Sequence, residues 1–190
     1  MKQRKKTGIL KVINLVDLLA HGGVGVVPTD TIYGIVGSAL DKKAVERIYR
    51  MRKRNPKKPM IILIGGIDDL KLFGVKIDRG TEKILNGVWP GKVSVILPCP
   101  SRKFSYLHRG IKTLAFRLPK KSWLRKFLRK TGPLVAPSAN FEGEPPAKTI
   151  AEARKYFEDK VDFYGDSGRL DLKPSKLIKI EDGKIAVIRA

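Results

Sequence analysis

Two short runs of small hydroxyl, amide and glycine residues constrain this chain more than any other feature. The first, Pro28 to Gly34 (PTDTIYG), follows the apolar run Val24 to Val27. The second, Pro137 to Asn140 (PSAN), follows Leu134 to Ala136, about a hundred residues downstream. In α/β proteins such residues collect where a strand runs out into a loop, because that is where a rigid sheet presents groups to a ligand.

The pattern around them predicts alternating elements. Ile9 to Leu19 carries a helical apolar face and Gly22 and Gly23 stop it, so Val24 to Val27 reads as a buried strand. Asp41 is placed to cap a helix in which Ala44, Val45, Ile48 and Tyr49 share a face, and Asn55-Pro56 ends it. Strands are expected at Met60 to Ile64, Val93 to Leu97, Leu114 to Leu118 and Leu134 to Ala136. In the tail they are expected at Val161 to Tyr164, Leu177 to Ile180 and Ile185 to Ile188. Further helices read from Thr81 to Val88, from a Ser122 cap to Lys130, and from a Thr149 cap to Phe157. GGIDD at 65 to 69 reads as a turn into a helix, with Asp68 or Asp69 as cap. Helices and strands interleave without strict βαβ regularity, which predicts an α/β fold with a twisted, mixed open sheet flanked by helices.

The 190 residues fit one domain, 1–190, led by a basic tail at 1–7 (MKQRKKT), with no linker, repeat or low-complexity tract. A chain this long buries about 70% of its unfolded surface and needs no staples. One cysteine, Cys99, excludes an internal disulfide, and it reads as a semi-buried residue closing a strand. Two histidines and no CxxC pair leave no zinc site, so no metal ligands are expected in the protein. No apolar stretch approaches the roughly 20 residues of a membrane span and no signal peptide follows the basic start, so the expectation is a cytoplasmic protein without membrane contact. Forty Lys and Arg against 18 Asp and Glu give +22, a field that attracts nucleotides and nucleic acid. The glycines at 22, 23 and 25 precede a strand with no helix opening after them, so they are no dinucleotide fingerprint.

Several side chains suggest chemistry directly. Arg52, Arg54, Lys57 and Lys58 cluster at a helix end and the loop after it, where they could hold a triphosphate or satisfy the helix's last carbonyls. Thr29, Thr31 and Tyr33 alternate, so an extended segment would turn two hydroxyls and a phenol toward one space. Arg117 sits inside an apolar strand and needs an Asp or Glu partner or a ligand carboxylate. Ser138 and Asn140, two apart after a strand, read by themselves as a turn or helix cap.

Taken in order, GGVGVVPTDTIYGIVG, RMRKRNPKKP, VWPGKVSVIL, LAFRLP and VAPSANFEG resemble the YrdC/Sua5 family of threonylcarbamoyl-AMP synthases, from about Ile13 to Arg189. The resemblance implies a YrdC-like fold in the short, single-domain form. It also implies a reaction of L-threonine, bicarbonate and ATP, with Mg²⁺ arriving on the nucleotide. The threonine amine becomes a carbamate whose oxygen attacks the α-phosphate, giving threonylcarbamoyl-AMP and pyrophosphate. A tRNA-modifying threonylcarbamoyl transferase would receive the product, and tRNA itself is a candidate partner.

By position, the resemblance assigns Thr31, Arg117, Ser138 and Ser175 to threonine and Arg54, Lys58, Thr113, Asn140 and Arg189 to ATP. Arg52, Arg54, Ser138 and Asn140 would form the catalytic group. Arg52 stands where the family has lysine. Leu63 replaces a histidine of longer relatives, and Lys176 a usual threonine. No covalent nucleophile is required, since positioning and electrostatics can carry an adenylyl transfer. Two other readings compete: a catalytically inactive module binding structured RNA through its basic face, and a hydrolase of acyl-adenylates, for which no nucleophile triad or metal cluster is visible.

Overall fold

The computed structural model describes residues 15–190 apart from Asp182; the basic tail and the start of the helix expected from Ile9 lie outside the described residues. Nine strands form one sheet: β1 (Val24–Pro28), β2 (Tyr33–Ser38), β3 (Ile61–Leu63), β4 (Val93–Pro98), β5 (Thr113–Arg117), β6 (Leu134–Val135), β7 (Phe163–Tyr164), β8 (Lys176–Glu181) and β9 (Lys184–Arg189). They lie in the order β7-β1-β2-β6-β3-β5-β4-β8-β9. Pairings β1–β7, β3–β5 and β4–β8 are parallel and the others antiparallel, so the sheet is mixed and open.

Both faces of the central strands are covered, and the two-residue period shows how. Val26, Ile35, Ile62 and Val135 enter the larger core with Ala44, Val45 and Ile48 of α1 (Lys42–Met51). Their neighbours Val27, Val36, Leu63 and Leu134 face the other way, onto Leu19 and onto Leu124 and Leu128 of α4 (Ser122–Thr131). Each fully buried aliphatic side chain contributes about 1.5 to 3 kcal/mol. Leu63 is fully buried in this second core. Gly25 in β1 has no room for a side chain, since a Cβ there would stand 2.4 Å from the Phe163 ring of β7.

The helices between the strands are α2 (Arg79–Val88), the short α3 (Ser105–His108) and α5 (Ile150–Phe157). Asp41 caps α1 by accepting from Lys43 N and Ala44 N, and Thr149 caps α5 by accepting from Glu152 N. Several expectations are corrected. Ser122 is the first helical residue of α4, after Lys121, and makes no side-chain cap. The GGIDD turn opens a 3-10 helix, Ile67–Phe73, behind Gly66, again with no side-chain cap; Asp69 instead accepts from Gly65 N and Asp68 pairs with Lys71. α2 starts two residues early because Asp78 holds Thr81 N at 2.6 Å. Cys99 is fully buried, its thiol donating to Phe73 O at 3.4 Å. Among the described residues no helix is long and apolar enough to cross a membrane.

Candidate functional site

The two motif runs meet at the centre of the sheet. β1 and β2 form a hairpin, and the Thr29–Ile32 turn is closed by Thr29 N donating to Ile32 O. The PSAN segment leaves β6 along β2: Gly34 bridges Ser138, Ile35 N donates to Pro137 O, and Ala139 N donates to Tyr33 O. The expectation for Tyr33 is corrected in one respect. Tyr33 lines the same cleft as Thr29 and Thr31, but its hydroxyl is committed, donating to Gly168 O at 2.7 Å. Burial raises the pKa of this phenol above its ordinary value.

Two adjoining clefts open here. The smaller, about 470 Å³, is lined by Thr29, Thr31, Arg117, Ser138, Ser175 and Arg189 among others. The larger, about 750 Å³, is lined by Arg52, Arg54, Thr113, Ser138 and Arg189 with an apolar floor from Ile96, Leu114 and Leu177. Ile61, Pro137, Ser138 and Arg189 belong to both, so one wall separates a hydroxyl-rich chamber from a cationic one.

In the smaller chamber Arg117 has its carboxylate partner within the protein. Asp30, on the hairpin turn, lies 3.2 Å from the guanidinium, and both side chains are almost wholly buried. Arg117 also donates to Thr31 Oγ1 at 3.1 Å, while its Nε has no protein partner. Burial lowers its pKa, and Asp30 opposes that shift. Ser175 is buried with its hydroxyl 2.9 Å from Ser94 Oγ, and the Arg189 guanidinium donates to Ser175 O at 2.7 Å. Lys176, next along, is exposed at the start of β8.

In the larger chamber Arg52 is the organising group. It follows α1, is 3% exposed, and donates to Asn140 O at 3.1 Å and to Ser138 Oγ at 3.2 Å, which ties the helix end to the PSAN segment. Burial, reinforced by Arg54, lowers its pKa to about 10, and its Nη1 has no protein partner. Arg54 turns back on its own loop, donating to Lys58 O and Pro59 O, as a cation satisfying terminal carbonyls does. Lys58 pairs with Glu142 at 2.9 Å, and that carboxylate also accepts from Asn55 N. Bonding to Lys58 holds Glu142 below the usual carboxylate range. Neither Lys58 nor Asn140 lines either chamber. The Asn140 amide is engaged by Phe141 O, Glu144 O and Arg52.

The structure thus brings Thr31, Arg117, Ser138, Ser175 and Arg189 together on one side and Arg52, Arg54, Thr113, Ser138 and Arg189 on the other. The motif reading passed over Asp30 and Glu142. The demand of a buried Arg117 for a carboxylate was the available signal for Asp30; the partner's identity depended on which loop faces β5. Among the described residues no group of three or more His, Cys, Asp or Glu side chains could hold a metal ion.

The chain is similar to known proteins over most of its length. A curated threonylcarbamoyl-AMP synthase of Chromohalobacter salexigens is 27% identical over 175 residues, 92% of this chain and 95% of that one. A threonylcarbamoyl-AMP synthase of Pyrococcus abyssi is 29% identical over 79% of this chain, which spans only 44% of that protein. The solved structure of P. abyssi Sua5 complexed with L-threonine superposes with a TM-score of 0.84 at 26% identity, over 95% of this chain and 54% of that one. The model of the Sua5/YciO/YrdC family, described as "Telomere recombination", matches residues 17–190. With this match over most of its length, the chain belongs to the Sua5/YciO/YrdC family.

Proposed function

We propose that the protein is an L-threonylcarbamoyladenylate synthase, a nucleotidyltransferase that makes threonylcarbamoyl-AMP and pyrophosphate from L-threonine, bicarbonate and ATP. One observation carries the reading: a hydroxyl-rich chamber holding a buried arginine shares the wall of Ser138 and Arg189 with a chamber lined by Arg52 and Arg54. A family relative has been solved with L-threonine.

Threonine occupies the smaller chamber, its carboxylate toward Arg117 and its polar groups among Thr31, Ser138 and Ser175. ATP occupies the larger, its phosphates toward Arg52, Arg54 and Arg189 and its remaining groups toward Thr113 and the apolar floor. Bicarbonate joins at the shared wall. The threonine nitrogen attacks its carbon and loses a proton, water leaves, and the resulting carbamate oxygen displaces pyrophosphate from the α-phosphate. Charge grows on the departing oxygens, and the fixed guanidinium groups stabilise it without moving. Among the described residues no carboxylate lines the larger chamber, so Mg²⁺ would arrive with the triphosphate, where it would offset phosphate charge beside Arg52 and Arg54. Lys58 and Asn140 contribute as supports of the loops on either side of Arg52. The product passes, in the cytoplasm, to a transferase that modifies an adenosine of tRNA.

Purified protein with ATP, Mg²⁺, bicarbonate and labelled threonine should release pyrophosphate only when both threonine and bicarbonate are present. Release without threonine, or none at all, overturns the proposal. The competing RNA-binding module would give no use to Arg117, Thr31 and Ser175, whose side chains are buried in the smaller chamber.

A further inference from the structure

We infer that Asp30 is a positioning residue that sets the donor and acceptor pattern of the amino-acid chamber through Arg117; the inference rests on the synthase reading. Asp30 is 2% exposed, and its oxygens divide their work. Oδ2 accepts from Lys120 N at 2.9 Å, which fixes the Thr29–Ile32 turn to the segment after β5. Oδ1 lies 3.2 Å from Arg117 Nη2 as an ion pair.

From there the hydrogens run one way. Arg117 can only donate, and its Nη1 donates to Thr31 Oγ1 at 3.1 Å. The Thr31 hydroxyl lies 3.0 Å from Thr29 Oγ1. The Thr29 hydrogen is already given to Ile32 O at 2.7 Å, so Thr31 must be the donor of that pair. Thr31 therefore has no hydrogen left for a ligand and presents only a lone pair. Arg117 retains an unpartnered Nε.

The chamber thus pairs a donor that can meet a carboxylate with an acceptor that can meet an N–H or O–H a few bonds away. That is a pattern an amino acid matches, its carboxylate toward the guanidinium and its nitrogen or side-chain hydroxyl toward the acceptor. Asp30 maintains the pattern. A buried guanidinium deprived of its counter-charge would turn toward other acceptors or admit water, and Thr31 would lose its fixed orientation.

Asp30→Asn tests this, since the amide oxygen can still accept from Lys120 N while the charge is gone. In the pyrophosphate-release assay the threonine KM should rise at least about tenfold, the worth of one charge-assisted hydrogen bond, with the ATP KM changed less than about twofold. In an Arg117→Ala background the same substitution should add less than about twofold, because it has no guanidinium to act through. Parallel changes in both KM values, an unchanged threonine KM, or full additivity with Arg117→Ala overturns the inference. If Asp30→Asn does not fold, as judged by its melting curve, Asp30→Glu carries the test. It keeps the charge but displaces it by one methylene; a rise confined to the threonine KM supports positioning, and an equal rise in both or none overturns it. A wild-type protein that releases no pyrophosphate in the presence of threonine overturns the synthase reading and this inference with it. An active wild type lacking the split overturns the inference alone.

Discussion

Arg117 could not stand in an apolar strand without a counter-charge, and that much was legible before any fold was known. Which residue supplies it was not, because Asp30 is 87 residues away in sequence and meets Arg117 only when the β1–β2 turn is laid against β5. Tyr33 was read as a phenol open to the same space as Thr29 and Thr31; it lines their cleft, but its hydroxyl is taken up by Gly168 O, a partner 135 residues away that no local pattern could name. Ser138 was assigned to threonine and, with Arg52, to the catalytic group; its hydroxyl accepts from Arg52, and the residue lines both chambers. The two substitutions should therefore differ in kind. Thr31→Ala should raise the threonine KM by the worth of a neutral hydrogen bond, about 0.5 to 1.5 kcal/mol, and leave the ATP KM unchanged. Ser138→Ala should raise both. Steady-state titration of each substrate at saturating levels of the other checks the pair, and a threonine-only effect in Ser138→Ala would place that hydroxyl wholly in the smaller chamber.

At the scale of elements, the strongly periodic segments were the easy ones. α5 with its Thr149 cap and the apolar cores of β1, β3, β4 and β5 could be read within a residue or two; α1 starts behind its Asp41 cap as expected but stops at Met51, short of the Asn55-Pro56 end that the sequence suggested. β2 was missed because YGIVGS carries two glycines; it is a strand because β1 and β6 pair with it from both sides. α3 was missed because four residues have no period to detect. One join between elements has a measurable pH signature. Asp162, just before β7, accepts from Val24 N at the start of β1 and from Arg47 of α1. The Arg47 hydrogen bonds, opposed by partial burial and aided by Val24 N–H, hold its carboxyl below the ordinary aspartate value. A carboxyl depressed in the folded state stabilises the fold above its unfolded pKa, about 3.9, and that contribution disappears as pH falls through the lower folded value. Asp162→Asn should be less stable than wild type near neutrality, by up to about 1 kcal/mol for so accessible a pair, with the difference closing below about pH 4. Denaturant midpoints measured across that range check it, and a gap that persists at low pH would mean the loss is one of packing.

For the whole molecule, the irregular alternation of helices and strands foretold a mixed open sheet, but not its order, since β6 lies between β2 and β3 only through long-range pairing. The +22 charge likewise gives a field and no address. Binding of tRNA to that field should weaken by about 10³ or more between roughly 50 and 200 mM salt if six phosphates are neutralised, while pyrophosphate release at saturating substrate changes only severalfold, because the chamber cations act at short range inside the protein. Parallel loss of both would mean that ATP meets its cations in open solvent. The wall that Ser138 and Arg189 form between the two chambers has a thermodynamic corollary. A ligand in either chamber restrains side chains that the other ligand must also order, so the two binding equilibria are linked and the coupling is reciprocal. An ATP analogue that cannot react should tighten threonine by some factor, and threonine should tighten the analogue by that same factor, so that the first substrate to arrive prepares the protein for the second.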